Sequence, residues 1–207
     1  VKTGGLRDRR RTQWVSAAHS LSTRGVRAIW REMGFVAVWG RSGADAEPRS
    51  MALALAGLLP VATSGRLSLA RLATGAPVVR GTSALTVSFS RAPGMWAFAL
   101  GRQPIGVDIE RERQRPMESA THGGVFCSRG EIAAVEALPP HVRGTALLSI
   151  WALKEAAAKA RGHGLSSDFP TWTAWPTERA TIPRIDRSFA RDLTPSTVVA
   201  VAVGTEE

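Results

Sequence analysis

Lysine is nearly absent from this chain: of 27 basic residues only three are lysine, and two of these, Lys154 and Lys159, fall in one decapeptide, WALKEAAAKA at 151–160. Positive charge elsewhere is carried by the planar fork of arginine, so the decapeptide is where a compact, mobile ammonium is wanted. Cysteine is scarcer still. Cys127 is the single thiol, which excludes an internal disulfide framework, and no Cys/His cluster has the spacing of a zinc site. That usage fits a reducing cytoplasm. No apolar run is long enough to span a bilayer, and none follows RDRRR (7–11) as an export signal would require. Acids are also few, and the chain carries a formal net charge of +10.

The basic excess is uneven. Residues 1–32 hold eight basic residues and two acidic ones, leaving a mild surplus for the remainder. A nucleic-acid-binding reading rests on those arginines alone, and the expectation is that neither nucleic acid nor membrane is a partner. The segment is rich in Arg, Ser and Thr and has no continuous apolar run, so it is expected to be a disordered or weakly helical extension. Met33 directly precedes the first strand-like run, GFVAVWG, and is expected to serve as an N-terminus of a domain at 33–207.

The rest reads as an ordinary soluble globular domain, 44% hydrophobic and 21% charged over 207 residues. FVAVW (35–39) is a strand candidate, and Glu47-Pro48 opens a helix that Pro60 closes. Residues 61–84 are mixed, with turn signals at Ser64-Gly65, Thr74 to Pro77 and Arg80-Gly81. Three β-patterned runs, 84–90, 95–100 and 105–110, lie close enough to form an antiparallel meander. Ser128 and Glu131 fit a capping box for EIAAVEAL, and 141–160 is a long helical pattern. FPTWTAW (169–175) and STVVAVAVG (196–204) are strand-like.

Asp108 and Glu110, at i and i+2 of the strand IGVDIE, leave one face of the sheet. Two same-side carboxylates repel unless a cation lies between them, and a hard divalent ion is the usual solution. The plainer reading is a solvent-facing pair at a strand end. Glu155 and Lys159, at i and i+4, share a helix face; the plainer reading is a routine ion pair worth ~0.3–0.5 kcal/mol. Lys154 points about a third of a turn away from Glu155 and serves another surface. Cys127 has no histidine in a suggestive relation and reads as an ordinary half-buried thiol rather than a nucleophile.

Taken together, PIGVDIE (104–110), the F-x-S-x-x-E of 126–131 and WALKEAAAKARGHGL (151–165) resemble the Sfp-type 4′-phosphopantetheinyl transferases, whose signature is a G-[IV]-D strand followed by W-x-x-K-E-x-x-x-K. ALTVSFSRAPGMWAFAL (84–100) is similar to that family's strand-turn-strand with an S-H-S core, and Thr74 to Pro77 to its G-K-P turn. The central place of GVD favours the longer, monomeric form over the short holo-carrier-protein synthases. The resemblance implies an α+β fold of two similar αβ halves, about 35–101 and 102–207, with antiparallel strands packed against helices.

It further implies transfer of 4′-phosphopantetheine from coenzyme A to a serine of an acidic acyl or peptidyl carrier protein, dependent on Mg²⁺ or Mn²⁺, with release of adenosine 3′,5′-bisphosphate. The alternative is a degenerate member that binds carrier protein or coenzyme A without turnover. By the family match Asp108, Glu110 and Glu155 hold the metal, Glu155 and Lys159 are catalytic, Arg49, Ser88 and Lys159 contact coenzyme A, and Lys154 either contacts a coenzyme A phosphate or positions the helix. Phe89 stands in place of the family histidine and Ala76 in place of the lysine, with Arg80 and Arg91 as nearby cations that could compensate. Arg111, Arg113 and Arg115, after the metal strand, could steer the carrier.

Overall fold

Strand β2 (Phe35–Arg41) is buried along nearly its whole length, as expected for an apolar β-branched run. The computed structural model describes residues 14–16, 22–43, 45, 47–111, 123–162, 168–175, 181–194 and 196–205. Ahead of β2 lie β1 (Trp14–Ser16), parallel to it, and helix α1 (Thr23–Met33). After it come α2 (Pro48–Leu58), a hairpin of β3 (Ser68–Arg71) and β4 (Pro77–Arg80), then β5 (Thr86–Ala92) and β6 (Met95–Gly101). The second half runs β7 (Ile105–Arg111), α3 (Arg129–Glu136), α4 (Pro140–Ala160), a 3₁₀ turn at Phe169–Thr171, β8 (Ile185–Thr194) and β9 (Thr197–Gly204).

The halves repeat one topology. In each, the last strand takes the centre of an antiparallel ladder: β2-β6-β5 in the first, with β1 added at the edge, and β7-β9-β8 in the second. Alternate residues then face opposite layers. Phe35, Ala37, Ala97 and Ala99 meet Ile105, Val107, Val199 and Val201 between the sheets. Val36, Val38 and Phe98 pack under α1 and α2, while Val198, Ala200 and Ala202 pack under α4. The fold is α+β, two αβ units joined sheet to sheet. Among the described residues no helix is long and apolar enough to cross a membrane.

Several expectations change. The meander does not form: β6 already pairs with β2 on one edge and β5 on the other, so no edge is left for β7, which joins β9 instead. Residues 61–84 contain the β3–β4 hairpin, closed by Gly75 at φ 84. FPTWTAW is a 3₁₀ turn with an isolated bridge from Thr173 to Thr181, not a strand. Residues 22–33 are no loose extension. Ser22 caps α1 by accepting the Gly25 amide at 3.1 Å. Val26 and Trp30, one turn apart, are buried in the first core, and Arg27 donates to the Leu58 carbonyl at 3.0 Å. Residues 1–13 and 17–21, with most of the expected arginine arm, lie outside the described residues.

Candidate active site

Helix α4 lies so close on β7 that a Cβ at Gly106 would sit 1.8 Å from the Ala156 carbonyl oxygen. Glycine on the strand and alanine on the helix permit that approach. Ala156, Ala157, Ala158 and Ala160 are all buried, which explains the alanine content of the decapeptide. Between 151 and 160 the positions that are not buried are Trp151, Glu155 and Lys159, spaced four apart and therefore on one stripe. That stripe runs over the carboxylates of β7.

At one end Lys159 Nζ donates to Asp108 Oδ1 at 2.6 Å, to the Val107 carbonyl at 3.1 Å and to Ser90 Oγ at 3.2 Å. Ser90, on β5, in turn donates its hydroxyl proton to Asp108 Oδ1 at 2.8 Å. Two residues before it, Ser88 Oγ accepts the Val107 amide at 3.0 Å. The halves are thus stitched by side chains where their strands do not pair. Ser90 was missed from sequence, although its place two residues after Ser88 puts both hydroxyls on one face of β5.

At the other end Trp151 Nε1 donates to Glu110 Oε1 at 3.1 Å. Glu155 stands between. Burial pushes its carboxyl above the usual range, the charges of Asp108 and Glu110 push the same way, and Lys159 pulls back. The three expected carboxylates therefore share one electrostatic field, and Lys159 belongs to it.

A cleft of about 490 Å³ meets this cluster at Lys159 and is lined also by Ser88, Phe89, Ala76 and Pro104 among others. Phe89 and Pro77 also wall a second cleft of about 370 Å³, where Arg49, Arg71 and Arg91 gather. Both volumes suit a small-molecule ligand. The N-terminal amides of α2 are not open to a phosphate: Glu47 accepts Arg49 N at 2.8 Å and Ser50 N at 3.1 Å. Its other oxygen accepts Arg91 Nη2 at 3.1 Å. Arg111 donates to the Pro93 carbonyl at 3.3 Å; Arg113 and Arg115 lie outside the described residues.

Lys154 is a correction. It has no exposed surface and donates to Glu131 Oε2 at 2.6 Å and to the carbonyls of Phe126, Phe169 and Trp172 at 2.7, 2.8 and 2.8 Å. Every ammonium proton is committed inside the protein, so Lys154 positions the helix and cannot reach a ligand. Burial pushes it below the usual lysine range, against the pull of Glu131. Cys127, expected to be half-buried, is fully buried, and its thiol is pushed up to about 12 by burial and then by Glu131.

Among the described residues no three His, Cys, Asp or Glu side chains form a ready metal cage. The donor chemistry nevertheless fits a hard cation: the donors are carboxylate oxygens, and Asp108 Oδ2 is buried with no hydrogen-bond partner among the described residues. A carboxylate oxygen without a donor, beside a second carboxyl held up by burial and then by the charges of Asp108 and Glu110, is the environment a divalent ion would relieve.

Residues 104–202 match the family model of the 4′-phosphopantetheinyl transferase superfamily, spanning β7 through β9 with the exception of its last two residues. The match covers Asp108, Glu110, Trp151, Glu155 and Lys159, and leaves Ser88, Ser90 and the arginine cleft outside it. Comparison with curated proteins gave no match. On the strength of the matched segment and of the α+β fold that carries it, residues 104–202 of this chain are a transferase domain of the 4′-phosphopantetheinyl transferase superfamily.

Proposed function

We propose that the chain, acting as a monomer, moves 4′-phosphopantetheine from coenzyme A to a serine hydroxyl of an acidic carrier protein, using Mg²⁺ or Mn²⁺ held by Asp108, Glu110 and Glu155. The two halves, about 35–101 and 102–207, each contribute to the site. The observation that carries the reading is Lys159: it touches buried Asp108 on one side and lines the larger cleft on the other. A ligand in that cleft would meet the carboxylate cluster through Lys159.

In the reaction the carrier serine oxygen bonds to the phosphorus of the phosphopantetheine, and the bond from that phosphorus to the bridging pyrophosphate oxygen breaks, releasing adenosine 3′,5′-bisphosphate. The cation, when bound, neutralises charge on the pyrophosphate. Glu155 takes the serine proton; a carboxyl raised above its usual range is a stronger base once ionised. Lys159 exchanges one of its present acceptors for a phosphate oxygen as charge moves toward the leaving group. Arg49 holds the 3′-phosphate, and Arg71 and Arg91 in the same cleft supply charge that Phe89 and Ala76 do not. Arg111 faces the approaching carrier.

A second reading, binding without turnover, is favoured by one observation: all three N–H groups of Lys159 already have acceptors within the protein. One experiment separates them. The full chain is incubated with coenzyme A, Mg²⁺ and an apo carrier protein, and the carrier is weighed. A gain of the phosphopantetheine mass that vanishes in Glu155→Gln supports transfer; coenzyme A binding with no mass gain on several carriers supports the second reading.

A further inference from the structure

We propose that Ser90 is a positioning residue of the carboxylate site, one that orients Asp108 from the opposite half of the molecule so that Oδ2 alone is presented to a divalent cation. This rests on the reading of Asp108 as a cation ligand. A serine hydroxyl has one proton to give and lone pairs to receive with. Here the proton goes to Asp108 Oδ1 at 2.8 Å, while Lys159 donates to the oxygen at 3.2 Å.

Among the described residues Asp108 Oδ1 then carries two donors, Ser90 and Lys159, and Oδ2 carries none. A carboxylate can turn about its terminal torsion, which is broad and roughly two-fold. With Lys159 alone as partner that turn would cost little, because the ammonium is mobile. Ser90 is different. It sits on a strand paired along its length to β6 and is nearly buried, so its hydroxyl is a fixed point. It also remains as the donor to Oδ1 when Lys159 swings toward a ligand. Of the three contacts of Lys159, the one to Ser90 is the longest and goes to a neutral oxygen, so it is the one released most easily.

Partners that orient a ligating carboxylate typically alter metal affinity or activity by about 10–100-fold when removed. The test is calorimetric Mn²⁺ binding by the full chain, with Ser149→Ala as a control that deletes a buried hydroxyl from α4, one that donates to the Thr145 carbonyl of its own helix at 2.9 Å. Ser90→Ala is expected to bind Mn²⁺ about 10–100-fold more weakly, and Ser149→Ala close to the original protein. A second pair, Ser90→Thr and Ser90→Val, has matched shape and differs in the hydroxyl, so tighter binding by Thr is expected even where the substitution disturbs packing. Unchanged Mn²⁺ affinity in Ser90→Ala, equal weakening in Ser149→Ala, or equal affinity of the Thr and Val variants overturns the role of Ser90. Failure of the unsubstituted chain to bind Mn²⁺ overturns the cation reading itself, and the role of Ser90 with it.

Discussion

Lys154 Nζ lies 2.6 Å from Glu131 Oε2 with neither side chain exposed to solvent. Glu131 caps α3 through the Ser128 amide at 2.7 Å, and its second oxygen accepts the amides of Ala174 and Trp175 at 2.6 and 3.2 Å. The pair therefore ties α3, α4 and the 3₁₀ segment to one point beneath the active stripe. Removing one partner leaves an uncompensated charge in the core. Lys154→Ala is expected to cost about 3–5 kcal/mol of unfolding free energy by urea titration, and the apolar pair Lys154→Met with Glu131→Leu is not expected to recover it, because the carbonyls of Phe126, Phe169 and Trp172 and the amides of Ala174 and Trp175 lose their partners.

Gly106→Ala tests the approach of α4 to β7. A methyl group has no room against the Ala156 backbone, so the helix must move outward. The expected cost is about 1–3 kcal/mol or more, the range of overpacked cores. Transfer activity should fall further than stability does, because the same shift draws Lys159 away from Asp108; equal activity at a temperature where the variant is fully folded contradicts this.

Glu155→Gln should have opposite effects on stability and function. The carboxyl is raised in the folded chain, so folding favours its protonated form, and the stability it contributes falls as pH rises through the folded value. An uncharged amide avoids that loss. Without metal, at pH 7–8, the variant is expected to melt at a higher temperature than the original chain, while phosphopantetheine transfer drops by at least about 100-fold, the scale of lost general-base catalysis.

A chain beginning at Met33 lacks Val26 and Trp30, both fully buried. Loss of one buried tryptophan side chain alone costs about 3–5 kcal/mol, on the order of 10 °C in melting temperature for a domain of this size. Differential scanning calorimetry of 33–207 beside the full chain decides it, and coincident transitions would show that α1 contributes nothing.

Cys127 should be inert in the folded protein. Its thiol is pushed up to about 12, whereas an unfolded thiol ionises near ~8.5. Iodoacetamide at pH 8 is expected to modify the chain within minutes in denaturant and only over many hours without it. The raised value also means that stability falls as pH rises above the unfolded thiol's range, where the unfolded chain releases the proton first.

The carboxylates and Lys159 were legible because their chemistry is written in local periodicity: two-residue spacing on β7 and four-residue spacing on α4. Ser90 was not, since a serine in an alternating strand looks like any other polar position. Which of its two expected roles Lys154 takes, phosphate contact or helix positioning, was not legible for a related reason. Helical phase gives the direction in which it leaves α4, but not that the carbonyls of Phe126, Phe169 and Trp172 wait there. The core face of α1 had a signal in the spacing of Val26, Ile29 and Trp30, hidden by the arginines around it.

Sequence by itself determined the strand carrying Asp108 and Glu110, the capping box at Ser128, the long alanine-rich helix and the face of it that bears Glu155 and Lys159. Each depends on residues within a few positions of one another, where backbone geometry leaves few choices. Tertiary structure alone decided that β7 pairs with β9, that α1 belongs to the core, and that one lysine of the decapeptide is buried on Glu131 while the other reaches Asp108. Those outcomes depend on which edges were already paired and which buried charges found partners, and both are settled by contacts between residues far apart in the chain.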